Sequence, residues 1–150
     1  MKQIRLTLVL FSLVAILSLL LTACGPKATP APVVLTVTGS VGKDLALTDA
    51  KLHAMKVTTL STTAPKQTAA KSFTGIRLSD LMTKAQVKPT ATSMVMTGSD
   101  GYSATVDIAT VNACADCMIA FTDKVGTLNA VMPGQSGKAW VKGIIKIEFK

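Results

Sequence analysis

The sequence predicts a β-rich mixed α/β (α+β) domain. Short β-branched runs recur along the chain, brief helix-capable stretches separate them, and an Asp-Gly pair joins two of the runs as a hairpin. The first run, Val33-Val34-Leu35-Thr36-Val37-Thr38, ends at Gly39-Ser40 and reads as a strand. Thr48-Asp49 stand before Ala50-Lys51-Leu52-His53-Ala54-Met55, a short helix with a capping residue in place. Strand character returns over Lys56-Val57-Thr58-Thr59-Leu60, and the polar stretch from Ser61 to Lys71 is expected to be loop because it offers little to bury. Leu78, Leu81, Met82 and Ala85 share one helical face, with Ser79 as the expected cap and a stop before Lys88-Pro89.

Ser93-Met94-Val95-Met96-Thr97 and Tyr102-Ser103-Ala104-Thr105-Val106 flank Gly98-Ser99-Asp100-Gly101. Asp and Gly both tolerate positive φ, so this is the hairpin. A short helix is expected around Asp107 to Ala115, then a strand at Met118-Ile119-Ala120-Phe121. Val131-Met132 runs into the loop Pro133 to Lys138, and Ala139 to Gly143 lead to a last strand, Ile144 to Phe149. No repeat is visible.

Ahead of this domain, Met1-Lys2-Gln3-Ile4-Arg5 places two cations before an apolar run from Leu6 to Leu21. A basic head followed by such a run has the form of an export signal. Leu21-Thr22-Ala23-Cys24 resembles the lipobox of bacterial lipoproteins, which implies cleavage before Cys24 and its acylation. Two acyl chains at one residue suffice for stable attachment, at about 0.8 kcal/mol per buried CH₂. Gly25 to Pro32 carries three prolines, and such a segment is an extended tether of roughly 25 Å at about 3.1 Å per residue. The expected organisation is therefore a signal peptide over 1–23, a lipidated cysteine and Pro-rich tether over 24–32, and a folded domain over 33–150, placed outside the cytoplasm.

The 118 residues after Pro32 suffice for one core. Beyond residue 23 the chain holds 14 Lys and Arg, the 16 of the whole less Lys2 and Arg5, against 8 Asp and Glu. The lysines are scattered singly without interleaved aromatics, which reads as solvated surface and excludes the pattern that tracks nucleic acid.

The order of motifs carries a resemblance. Phe73-Thr74-Gly75-Ile76-Arg77-Leu78-Ser79-Asp80-Leu81 is followed by Ser99-Asp100-Gly101-Tyr102, Met132-Pro133-Gly134, Trp140-Val141-Lys142-Gly143-Ile144 and a terminal Ile147-Glu148. That succession, over roughly residues 35 to 150, resembles the sulfite oxidase-type molybdopterin-binding domain in its small stand-alone members. The resemblance implies a mixed α/β fold around a molybdopterin cofactor, with the metal held by a cysteine thiolate in the segment before the Phe-Thr-Gly motif. Here that segment is Val57 to Thr63, and no cysteine occurs between Cys24 and Cys114. A hydroxyl does not replace a soft thiolate as a ligand, which leaves Ser61 a poor substitute. The resemblance also points Lys142 toward the cofactor's phosphate, and Lys138 stands beside the flexible Gly137. Each lysine can equally be an ordinary surface residue. Arg77 is the one arginine after residue 23, where bidentate phosphate grips would call for more.

Cys114 and Cys117 form Cys-Ala-Asp-Cys, read as a disulfide staple, with inert thiols or a redox or metal pair as the other readings. His53 has no acidic or histidine partner evident nearby and is expected to be structural. The methionines are expected to fill the core and Trp140 to cover the sheet, soft-metal binding and ring stacking being the alternatives.

Three functions follow. The first is an accessory or ligand-binding lipoprotein with a molybdopterin-binding-like domain that lacks the metal-ligating cysteine. The second is a molybdenum oxidoreductase with an unusual ligand and a membrane redox partner. The third is a cofactor-free surface interaction module. The partners expected are the membrane, through the lipid anchor, and a small anionic ligand.

Overall fold

A computed structural model describes residues 29–150, of which Ala31–Lys150 gather into one compact unit. The signal peptide and lipidation read from residues 1–23 and Cys24 lie outside the described residues, as does the tether up to residue 28. Nine strands and three short α-helices follow in order: β1 (Val33–Gly39), β2 (Leu45–Thr48), α1 (Asp49–His53), β3 (Val57–Thr62), β4 (Lys71–Arg77), α2 (Leu78–Ala85), β5 (Ser93–Gly98), β6 (Ser103–Asp107), α3 (Ile108–Ala113), β7 (Met118–Phe121), β8 (Leu128–Val131) and β9 (Ile144–Phe149). A 3-10 turn spans Gly137–Ala139. No described helix is long and apolar enough to cross a membrane.

The strands form two sheets, ordered β2-β1-β9-β5-β6 and β3-β4-β7-β8. All pairings are antiparallel except β1 with β9, where Thr36 lies opposite Lys146. Alternation along each strand decides which side is buried. Leu35, Val37, Met94, Met96, Ile147 and Phe149 turn inward from the first sheet, and Ile76, Ile119, Leu128 and Ala130 meet them from the second. Leu52 of α1, Leu78, Leu81 and Ala85 of α2, and Val111 of α3 complete that core. A smaller cluster of Met118, Ala120 and Val131, with Leu60, Phe73 and Trp140 packed on it, covers the other side of the second sheet. Met94, Met96, Met118 and Met132 are fully buried, so they fill space as expected.

Several local expectations are corrected. β2, β4 and β8 are strands where the sequence predicts none, and the loop after β3 is shorter than Ser61 to Lys71. β4 is polar at its start, yet it pairs with β3 from Lys71 to Ile76, so sheet contacts override its composition. Ser79 is not the cap of α2: Arg77 holds that position without a side-chain bond, and Ser79 lies inside the helix. α2 ends at Ala85 because Gln86 turns left-handed (φ 55°), before Pro89 can act. In the hairpin only Gly101 has positive φ (83°), while the Asp100 carboxylate accepts the Tyr102 N–H at 3.0 Å. Thr48 does cap α1, accepting the Lys51 N–H at 3.3 Å.

On the outer face of β9, the Lys146 ammonium donates to Glu148 at 2.9 Å. That hydrogen bond, with the charges of Lys146 and Lys150, lowers the Glu148 pKa. A depressed carboxylate pKa adds stability above the ordinary carboxylate range, which is lost as pH falls through the folded value. Because both groups are exposed, the contribution is small and screened. Glu148→Gln is expected to leave the thermal midpoint near its wild-type value at pH 7 and to flatten its fall on acidification, as measured by melts at neutral and acid pH.

Candidate functional site

The end of the first sheet where β5 and β6 turn over and β9 begins also carries the largest cleft described, about 830 Å³. Three segments build it. The first is the turn Ala64-Pro65-Lys66-Gln67, closed by the Gln67 N–H on the Ala64 carbonyl at 3.0 Å. Proline at its second position and a left-handed Lys66 (φ 65°) at its third give a type II turn, where glycine is the usual residue. Such a conformation costs a non-glycine residue on the order of 1–2 kcal/mol, and strain of this kind collects at functional sites.

The second segment is Ser136-Gly137-Lys138, which meets the first closely. A Cβ on Gly137 would lie 3.4 Å from Pro65. The Tyr102 hydroxyl donates to the Lys138 carbonyl at 3.0 Å and latches this segment to the hairpin turn. The third is Trp140-Val141-Lys142. Val141 is buried and its carbonyl accepts the Ala130 N–H, while the next residue but one, Gly143, donates to the Asn129 side chain at 3.0 Å. These bonds fix the backbone on both sides of Lys142, whose own side chain is exposed.

Lys138 and Lys142 thus line one cleft, and Lys66 joins them there. Lys66 lies in the polar stretch expected to be loop, where the Pro-Lys pair is the one signal the sequence offers for it. Trp140 forms a wall, its ring edge-on to Phe73 with centroids 5.9 Å apart. Its indole N–H is shielded from solvent and has no hydrogen-bond acceptor. An orphaned buried donor normally has a partner, so this wall suits an acceptor-rich ligand. Three ammonium groups and an unmatched N–H are donors for an anion or an oxygen-rich ring.

The same cleft offers nothing to a metal. None of the residues lining it carries a thiol, an imidazole or a carboxylate. Among the described residues no group of three or more His, Cys, Asp or Glu is placed to hold a metal ion. Ser61, the one hydroxyl weighed as a ligand, is exposed on β3 opposite Ser72, outside the cleft lining. Thus the pterin and phosphate parts of a molybdopterin fit this donor set, and the molybdenum, which wants a soft anionic ligand, does not.

The remaining candidates have structural places. Cys114 and Cys117 are joined, with an S–S distance of 2.01 Å. Arg77 donates to the Ala115 carbonyl at 2.7 Å and stands 3.5 Å from Asp116, so the lone arginine clamps the disulfide loop and takes no part in the cleft. Thiol labelling of the denatured, unreduced protein is expected to modify neither cysteine; labelling of both would show the bond absent. His53 corrects an expectation: Asp49, one helical turn earlier, lies 3.8 Å from its Nε2, and the imidazole stacks on Phe121 at 4.0 Å. The ion-pair contact lies within α1, and the stacking holds α1 against β7.

Comparison with known proteins agrees with the fold. The family model described as the oxidoreductase molybdopterin binding domain matches residues 24–150. Among solved structures, the sulfane dehydrogenase SoxCD from Paracoccus pantotrophus superposes with a TM-score of 0.64 at 21% identity, over 77% of this chain and 37% of that one. The fold is shared, and the chain spans little more than a third of that enzyme's length. No curated protein matches the sequence.

Proposed function

The chain belongs to the oxidoreductase molybdopterin binding domain family, and from that premise we propose that it is an accessory, ligand-binding member, exported and held at a bacterial membrane by a lipidated Cys24. The observation that carries the reading is the composition of the cleft: cationic and hydrogen-bond donors on every wall, and no soft ligand. Lys66, Lys138 and Lys142 are the groups that would hold the phosphate of a pterin, and Trp140 the wall beside its ring. Molybdenum, where a family member binds it, supplies two-electron redox chemistry. This chain's residues bind and orient an organic anion and give the metal no anchoring side chain. The activity named for the Paracoccus protein belongs to a chain of which this one covers only part.

The anchoring half of the proposal rests on the basic head, the apolar run and the Leu-Thr-Ala-Cys box at 21–24. The test of the cleft is elemental and spectroscopic. Purified from its native membrane, the protein is expected to contain far less than one molybdenum per chain, with any cofactor showing as fluorescence of oxidised pterin. Stoichiometric molybdenum would overturn the reading.

A further inference from the structure

Five large apolar side chains are exposed in the described residues: Val33, Val57, Tyr102, Val125 and Ile145. Four of them stand at one end of the molecule. β1 and β9 run parallel, so Val33 and Ile145 mark the same end of the first sheet. Tyr102 closes the β5–β6 turn there, since Gly98 at the end of β5 lies opposite Ile144 at the start of β9. Val125 tips the turn between β7 and β8. That turn is fastened to the same end: the Asp49 carboxylate accepts the Gly126 N–H at 3.3 Å, and a Cβ on Gly126 would lie 3.1 Å from the Val34 side chain. Val125 is 82% exposed, the most open of the five. A valine held out on a pinned turn gains nothing from the fold, and apolar side chains gathered at one pole mark an interaction surface.

This is also the end at which the chain enters the domain, at residues 31–33. Lys138 and Lys142 flank it, and Lys124 is next to Val125. Of the acids here, Asp49 accepts the Gly126 N–H of the β7–β8 turn, Asp100 accepts the Tyr102 N–H within its own turn, and exposed Asp123 adjoins Lys124. Apolar tips among lysines match the boundary between acyl chains and phosphate headgroups. We infer that this end is a membrane-docking face: Val125 and its neighbours enter the headgroup layer and Lys124 meets lipid phosphates, while Lys138 and Lys142 stay with the cleft beside it. The inference rests on the proposed anchoring at Cys24. A tether of roughly 25 Å gives the face a high local concentration at the bilayer, so a shallow contact suffices.

The test uses the full acylated chain in vesicles of phosphatidylethanolamine and phosphatidylglycerol. Val125→Cys, and separately Thr90→Cys in the exposed turn at the opposite end, receives an environment-sensitive thiol label. The introduced cysteine is the reactive one, because Cys114 and Cys117 are bonded and Cys24 is acylated in this reading. The expected result is flotation of both proteins with the vesicles, a blue shift at position 125 alone, and several-fold stronger quenching there by spin-labelled lipid. Flotation with equal, water-like signals at both positions would overturn the docking face and leave the anchor standing. Protein that stays with the aqueous fraction and carries an unmodified Cys24 by mass would end the anchoring proposal, and the docking inference with it.

Discussion

Lys138→Ala combined with Lys142→Ala is expected to lower the affinity of the cleft for a pterin phosphate by about 100-fold. A charge-assisted hydrogen bond contributes about 1.5–3 kcal/mol, so two at the lower figure amount to roughly 3 kcal/mol, or two decades. The fold should be untouched. Both side chains are exposed, and the contact that latches this segment uses the carbonyl of residue 138, which alanine keeps. Trp140 is the single tryptophan and lines the same cleft, so its fluorescence reports occupancy directly. Loss of quenching with an unchanged thermal midpoint is the predicted outcome. Lys142→Arg, which retains the charge, should keep most of the binding. Undiminished quenching in the double variant would return both lysines to ordinary surface. Lys66→Ala removes one ammonium where the double variant removes two, so it should weaken binding less.

The sequence made the hydrophobic alternation of β1, β5 and β9 legible because those strands bury one face and expose the other. β4 stayed hidden for the opposite reason. Its first half, Lys71-Ser72-Phe73-Thr74, projects beyond β7 and is held by β3 on one side, so burial imposes no pattern on it. The edge of α2 was misplaced because a cap motif is short and degenerate. Ser79 has the right chemistry two residues too late, while Arg77 ends a strand and starts the helix without using its side chain as a cap. At the cleft, Lys142 is legible from the terminal motif and Lys138 from its place beside Gly137, but Lys66 reaches them through a contact between two loops more than 70 residues apart in sequence. The partner of His53 stands four residues earlier, an i, i+4 pair on a five-residue helix that sequence spacing alone makes legible. That no cysteine lies between Cys24 and Cys114 is plain from the sequence, whereas the pairing that occupies Cys114 and Cys117 needed the fold.

Gly75→Ala is expected to be among the most damaging small substitutions in the domain, alongside Gly39→Ala, whose Cβ would fall 2.1 Å from the Phe149 carbonyl oxygen at a φ of 97°. Gly75 sits in β4 directly opposite Ala120 of β7. A Cβ there would fall 2.1 Å from the Ile119 carbonyl oxygen and 2.6 Å from the Ala120 Cα. Both are backbone atoms of a paired strand, so no rotamer change relieves the clash and the two strands must separate. Overpacking usually costs 1–3 kcal/mol, and with rigid backbone on the far side about 3 kcal/mol or more is expected. For a domain of this size that is a fall in midpoint of roughly 10–20 °C, read by thermal unfolding. Gly134→Ala is the contrasting case. Nothing lies within 4 Å of its Cβ position and only the positive φ of 75° is strained, so a loss of about 1 kcal/mol is expected. The comparison separates two reasons for a glycine, close approach and backbone conformation. It also reaches the cleft, because β4 carries Phe73, against whose ring Trp140 is seated. If β4 moves away from β7, the tryptophan wall loses its support. Gly75→Ala should therefore weaken pterin binding even at temperatures where the protein remains folded, although residue 75 lies outside the cleft lining.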